Sequence, residues 1–152
     1  MDLHVLPLGA GQEIGRSCIL LKADGKTVML DCGIHLNLTD ADRVPAFHTV
    51  LGNSESITAA VSCVLITHYH LDHCGALPHL TERLGYRGPV LMTRATQLLA
   101  ELQLLDYASI CHTKCVRWPL GTRSCAWPTF LPTGTHLVRP LHPCFHEVTS
   151  AA

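Results

Sequence analysis

The chain has little net charge, no leader-like pattern at residues 1–4 and no long apolar run. Its 11 Lys and Arg residues against 12 Asp and Glu residues give a formal charge of −1, which argues against a strongly basic nucleic-acid surface but leaves open contacts through bound metals or partner proteins. The amino terminus lacks a basic segment followed by an apolar one, so secretion is not expected. Because no run of about 18 apolar residues exists, a membrane span is not expected either.

The chain contains eight cysteines. In a secreted protein they would suggest disulfides, whereas here we expect reduced thiols. With 152 residues, 47% of them hydrophobic, the chain can bury one core, and a single domain is the simplest expectation.

The most informative stretch is residues 67–75, which follow the apolar and partly β-branched run 61–66. That run predicts a buried strand. Side chains alternate along an extended segment, so His68 and His70 should leave the strand end on the same side, while Asp72 and His73 lie where the backbone turns toward the next helix. Imidazole and carboxylate donors in this spacing suit two neighbouring divalent ions, and zinc in particular.

The alternative is that these are ordinary histidines at a strand end, which is the better interpretation for an isolated histidine. Three histidines and an aspartate lie within six positions here. Desolvated imidazoles packed together without a metal would lack partners for their polar atoms. We therefore favour the metal site.

Asp31 ends a second apolar segment, where a carboxylate can hydrogen-bond a metal-ligating imidazole and fix its orientation. The alternative role is a turn or capping aspartate. His35, a lone loop histidine, is expected to be solvated. The loop 9–15 contains three glycines; we expect a hairpin-like connection there rather than a phosphate-binding loop, because its spacing differs from a dinucleotide fingerprint.

The remaining elements follow from apolar patterning and turn signals. The Asp24 and Gly25 pair predicts a hairpin turn, and a short helical piece is possible at 46–51. Strands are expected near 3–8, 17–22, 27–31, 61–66 and 89–92, and helices near 76–84 and 95–109.

Taken with residues 29–33 and 8–18, the stretch 67–75 resembles the amino-terminal part of the metallo-β-lactamase-fold RNA endonucleases. Within that fold it is most similar to the β-CASP group, which includes endonuclease subunits of the Integrator complex and of the cleavage and polyadenylation machinery. The similarity covers about residues 3–110, and residues 84–89 lean toward the Integrator branch.

The resemblance implies an α/β fold, the αββα metallo-β-lactamase sandwich, of which this chain would hold the amino-terminal half and so leave apolar surface uncovered. It implies two zinc ions, with His68, His70, Asp72 and His73 as ligands. Asp72 and Asp31 would be the catalytic residues, the latter beside the metals. It further implies RNA and other subunits of a nuclear RNA-processing complex as partners, no membrane, and a location in the nucleus and also the cytoplasm.

The chain also departs from that family. Arg94 stands where relatives carry a histidine that helps build the site's surroundings. Residues 111–152 match nothing expected of the family and contain five of the nine prolines and both tryptophans, so we expect a partial domain at 1–110 followed by an irregular or disordered tail. The chain would then be a truncated or alternatively terminated product.

Two functional hypotheses follow. The first is a zinc-dependent RNA endonuclease that is weakly active or inactive by itself, because the later metal-binding histidine, a bridging aspartate and a lid domain are missing. The second is a non-catalytic fragment or partner-binding remnant of that subunit. A separate zinc site formed by Cys111 and Cys115 with His142 or His146 is a weaker alternative, since no second tight pair accompanies them.

Overall fold

The computed structural model describes residues 2–51, 56–113 and 145–147. Its centre is one sheet of six strands in sequence order. The first three strands are antiparallel and the pairs from the third to the sixth are parallel, so the predicted mixed sheet is confirmed. The strands are β1 His4–Gly9, β2 Cys18–Ala23, β3 Lys26–Leu30, β4 Cys63–Leu65, β5 Val90–Met92 and β6 Phe145–Glu147.

Both predicted hairpin connections are present. Asp24 and Gly25 join β2 to β3 with φ values of 48° and 71°, the left-handed conformation that a two-residue hairpin turn requires. The loop after β1 returns the chain antiparallel to β2. Within it, the Arg16 guanidinium bonds Glu13 at 2.7 Å and the Asp42 carbonyl at 3.0 Å.

Four α-helices, one 3₁₀ turn and one π-helical turn complete the described ranges. The helices are α1 His48–Leu51, α2 Ile57–Ala60, α3 Leu71–Cys74 and α4 Arg94–Thr113, with a 3₁₀ turn at Asp40–Arg43 and a π-helical turn at His79–Arg83. The possible short helix at 46–51 corresponds to α1. No helix in these ranges is long and apolar enough to cross a lipid bilayer.

Some boundaries differ from the sequence-based expectations. The strand expected at 61–66 is only Cys63–Leu65, because Ser56 caps α2 immediately before it and the Val61 amide bonds the Ile57 carbonyl. The helix expected at 76–84 takes π geometry over most of its length, with the Leu84 amide bonding the His79 carbonyl at 3.1 Å. The helix expected at 95–109 is α4, which runs four residues further.

The hydrophobic core lies on one face of the sheet. Leu20, Met29, Val64 and Val90 occupy neighbouring strands and are each 0% exposed. Buried residues from the helical layer, including Ile57, Leu77, Leu80 and Ala100, belong to the same cluster. This packing fixes β3 and β4 side by side, so that their carboxyl ends meet at one edge.

Two described elements fall in the part of the chain expected to be irregular. The end of α4 passes residue 110, and β6 adds a parallel strand beside β5. Tertiary pairing with β5 accounts for a strand that local sequence pattern did not predict. The rest of residues 111–152 lies outside the described residues, and with it Cys115 and His142 of the possible cysteine and histidine zinc site.

Candidate metal centre

The imidazoles of His68, His70 and His73 form a cluster at the carboxyl end of β4. His68 and His70 lie on the link between β4 and α3, and their ring centroids are 4.8 Å apart in an edge-on arrangement. Helix α3 supplies His73, whose ring lies 4.1 Å from that of His68. Asp72, on the same helical turn, places its Oδ2 atom 3.5 Å from His73 Nε2. The structure thus brings all four predicted ligands together.

Asp31 anchors this cluster from the end of β3. Its carboxylate is 2.8 Å from His73 Nδ1 and accepts from the Thr67 amide at 2.8 Å. The Thr67 hydroxyl lies 3.0 Å from both carboxylate oxygens. Asp31 is 8% exposed, so these contacts are largely shielded from solvent. The expected hydrogen bond from Asp31 to an imidazole is therefore present, and His73 is its partner.

These contacts determine which ring nitrogens are free in the neutral histidines. An ionised carboxylate only accepts hydrogen bonds, so the 2.8 Å contact with Asp31 favours the neutral tautomer of His73 with its proton on Nδ1 over the one with its proton on Nε2, which lies 3.5 Å from Asp72 Oδ2. The Thr67 hydroxyl donates its one proton to Asp31 and can then only accept from His68 Nδ1, which lies 3.0 Å away. One carboxylate therefore sets the tautomers of two imidazoles, His73 directly and His68 through Thr67.

The backbone around Asp31 explains how the carboxylate reaches this position. Asp31 has φ of 59°, a left-handed conformation that aspartate tolerates better than most residues. Its amide donates to the Leu65 carbonyl at 2.8 Å, which fixes the end of β3 against the end of β4. The pattern of apolar residues does not indicate this conformation.

Gly33 allows the two segments to pack backbone to backbone. The Cys32 amide donates to the His73 carbonyl at 2.7 Å, and the Ile34 amide donates to the Leu71 carbonyl at 2.9 Å. A Cβ atom at position 33 would overlap the Asp72 carbonyl. Sequence analysis missed this requirement, although a glycine directly after Asp31 and Cys32 is the signal that could have revealed it.

Three buried thiols lie behind the cluster. Burial is the largest cause that raises the pKa of Cys18 and of Cys74 to about 12, and the nearby Asp31 charge adds to it. Burial likewise raises the pKa of Cys32 well above its ordinary value. The Cys74 thiol donates to the Tyr69 carbonyl at 3.1 Å. These thiols stay protonated at neutral pH, and Cys18, Cys32, Cys63 and Cys74 are free of disulfides.

His79, His35 and Arg94 make their contacts outside the histidine cluster. The His79 ring stacks on Phe47 with centroids 5.8 Å apart, and burial followed by the Arg83 charge lowers its pKa. His35 Nδ1 accepts from the Asn37 amide at 3.2 Å. Arg94 begins α4 and is exposed, with its guanidinium 2.9 Å from the Gln97 side-chain oxygen.

The donors fit zinc in type and in tautomer, because bare imidazole Nε2 atoms and carboxylate oxygens are ordinary zinc ligands. An orienting carboxylate on Nδ1 is also the usual companion of a coordinating histidine. Within the described residues, however, no three donors are arranged as a set that could hold a metal ion. Closure of the site would require movement of the side chains or further ligands.

The sequence of the chain is similar to known proteins. The Metallo-beta-lactamase superfamily matches residues 11–148. Integrator complex subunit 11 of Danio rerio is 48% identical over 109 residues, which cover 72% of this chain and 18% of that protein. Cleavage and polyadenylation specificity factor subunit 3-II of Arabidopsis thaliana is 46% identical over 110 residues, covering 72% and 18%.

A third relative is Cleavage and polyadenylation specificity factor 73 of Drosophila melanogaster, 43% identical over 108 residues that cover 71% of this chain and 15% of that protein. The chain therefore spans less than a fifth of the length of these curated relatives.

Proposed function

The chain belongs to the metallo-beta-lactamase superfamily, and from that membership we propose that its site derives from a zinc-dependent endonuclease that hydrolyses RNA phosphodiester bonds. The predicted fold class and the resemblance are confirmed by the family match and by the relatives. Those relatives are a subunit of the Integrator complex and cleavage and polyadenylation specificity factors. They support a nuclear RNA 3′-end processing complex as the setting, with RNA and other subunits of that complex as partners.

The observation that carries the proposal is the cluster of His68, His70 and His73 with its carboxylate anchor. His68 and His70 would hold one zinc ion, and Asp72 with His73 would hold a second. Asp31 orients His73 through the 2.8 Å contact at Nδ1. When bound, zinc supplies an activated water and positive charge next to the scissile phosphate.

We further propose that this chain alone is weakly active or inactive. The four donors give each ion two protein ligands, whereas catalytic zinc ordinarily has about three. A carboxylate that bridges the ions is also needed to fix their separation, and Asp72 already serves one ion. Fewer ligands mean weaker metal binding, because affinity depends on the full ligand set.

Cleavage of labelled single-stranded RNA, with and without chelator, tests this proposal. One sample is the 152-residue chain, and the other is a hybrid in which residues 1–110, with Arg94→His, are joined to the remainder of a related subunit. We expect chelator-sensitive cutting by the hybrid, its loss in the Asp72→Ala hybrid, and its retention in the His79→Ala hybrid. The 152-residue chain should not cut.

Cutting by the 152-residue chain that chelator and Asp72→Ala both abolish would refute the proposed inactivity. The alternative is a non-catalytic fragment that binds a partner of the related subunit. The donor arrangement, which is not closed in the described residues, favours that alternative. A folded hybrid that leaves RNA intact would support it and would contradict the endonuclease proposal.

A further inference from the structure

The His70 ring is held differently from the other two imidazoles of the cluster. His73 Nδ1 lies 2.8 Å from the Asp31 carboxylate, and His68 Nδ1 lies 3.0 Å from the Thr67 hydroxyl. The His70 side chain, which is exposed, contacts only other rings among the described residues. Its orientation must therefore come from packing rather than from a hydrogen bond to the protein.

The backbone of His70 is firmly fixed. Its carbonyl accepts from the amides of His73 and Cys74, both at 2.9 Å, and its φ and ψ of −62° and 145° lead the chain into α3. The freedom that remains is rotation about the two side-chain bonds, of which the outer one has broad preferences in histidine. Any neighbour that limits these rotations decides where the ring nitrogens of His70 lie.

Tyr69 is such a neighbour. Its ring centroid lies 4.8 Å from that of His70, and the two ring planes meet at 73°. His68 makes a contact of the same kind with His70, at 4.8 Å and 74°. Edge-to-face contacts at this distance are among the arrangements that aromatic rings prefer. Two rings therefore confine the His70 imidazole.

Of these two neighbours, Tyr69 is the one anchored in the fold. Its half-buried side chain packs against the hydrophobic core, and its carbonyl accepts from the Cys74 thiol at 3.1 Å. His68 belongs to the donor cluster itself, so its ring would have to face a metal ion and cannot act as an independent support. The Tyr69 ring is thus the fixed surface against which His70 rests.

We propose that Tyr69 is a positioning residue for His70, whose imidazole it holds by ring contact where hydrogen bonds hold His68 and His73. The inference deepens the proposed function and rests on it, because the orientation of His70 matters to the reaction only if this ring binds metal. A ring that is already confined loses less rotational freedom when it binds a ligand. Tyr69 should therefore raise the affinity of the cluster for zinc without touching the ion.

NMR of the metal-free chain and calorimetric titration with zinc test the proposal. In the unchanged chain we expect nuclear Overhauser contacts between the ring protons of Tyr69 and His70. Tyr69→Leu removes the aromatic ring and should lower the affinity for zinc by about 2–10-fold, the range that an aromatic pair contributes. Tyr69→Phe keeps the ring and should retain both the contacts and the affinity.

Tyr107→Leu is the matched control, because Tyr107 is also half-buried against the same core but lies on α4. It should lower stability to urea while leaving the His70 ring signals and the affinity for zinc unchanged. Equal losses of affinity in Tyr107→Leu and Tyr69→Leu would overturn the proposal, because they would reflect a general loss of packing. An affinity that Tyr69→Leu leaves unchanged would overturn it as well.

Two further results would contradict the proposal without relying on Tyr69→Leu, should that variant fail to fold. One is the absence of ring-to-ring contacts between Tyr69 and His70 in the unchanged chain. The other is a loss of affinity for zinc in Tyr69→Phe, which would assign the effect to the hydroxyl group. Failure of the proposed function has a different signature, since the hybrid would then leave RNA intact while the ring contacts and the order of zinc affinities remained.

Discussion

Replacement of Asp31 by asparagine should reverse the hydrogen-bond polarity at His73 while preserving the shape of the side chain. Asparagine tolerates the left-handed conformation at φ of 59°. Its oxygen can still accept from the Thr67 amide, but its NH₂ group would face His73 Nδ1. That nitrogen must then accept, so the ring proton moves to Nε2, the atom that would otherwise bind metal.

The structure sets the size of the expected effects. Asp31 loses a charge-assisted contact of 2.8 Å to His73, and hydrogen bonds to charged groups contribute about 1.5–3 kcal/mol, part of which the amide retains. We therefore expect the free energy of unfolding to fall by about 1–2 kcal/mol. The affinity for zinc should also fall, by about 10–100-fold, which is typical when the hydrogen-bond partner of a metal-ligating histidine is changed.

Nitrogen-15 NMR of the histidine side chains reads the tautomer directly, and zinc titration of the same samples reads the affinity. Asp24→Asn is the matched control, because Asp24 has φ of 48° but lies in the exposed β2–β3 turn, and it should change neither measurement. If His73 kept its proton on Nδ1 in the Asp31→Asn protein, the argument that this carboxylate sets the tautomer would be wrong.

Three other perturbations test separate parts of the account. Thr67→Val should let His68 populate both neutral tautomers, which would appear as averaged nitrogen-15 shifts, while His73 keeps its proton on Nδ1. Loss of the tautomer preference at both histidines would contradict the claim that Asp31 acts on His68 through Thr67. Gly33→Ala should lower urea stability by about 1–3 kcal/mol through overpacking, whereas Gly11→Ala, with open space around the added atom, should not. Because burial lowers the pKa of His79, the fold favours its neutral form; stability should be complete above pH of about 6.5 and fall as the pH drops through that value. His79→Phe should reduce this dependence, and an unchanged profile would show that His79 does not contribute.

Local pattern was sufficient to locate most elements and all the clustered donors. Short apolar runs predicted β2 and β3, and the Asp24 and Gly25 pair predicted their turn. The spacing from His68 to His73 predicted that these side chains converge, because alternation along an extended segment and a turn after it are local properties.

The remaining features depend on contacts between distant residues. The left-handed backbone of Asp31 and the close approach at Gly33 arise from pairing with the segment around α3, some 40 positions away. Strand β6 forms against β5 across more than 50 residues. The residue pattern over a few positions carries no information about contacts between distant residues, so these features could not be predicted from the sequence.

Calorimetric titration of the full chain with zinc tests the central claim, that residues 68–73 form a metal centre. The account predicts weak binding of fewer than two zinc ions per molecule, and it predicts that alanine at His68, His70 or His73 abolishes this binding. The His79→Ala protein should bind zinc as the unchanged chain does, because the His79 ring stacks on Phe47 and is not part of the cluster. Equal loss of binding in the His79→Ala protein would show that the histidines bind zinc without a defined site, and the metal centre would have to be abandoned.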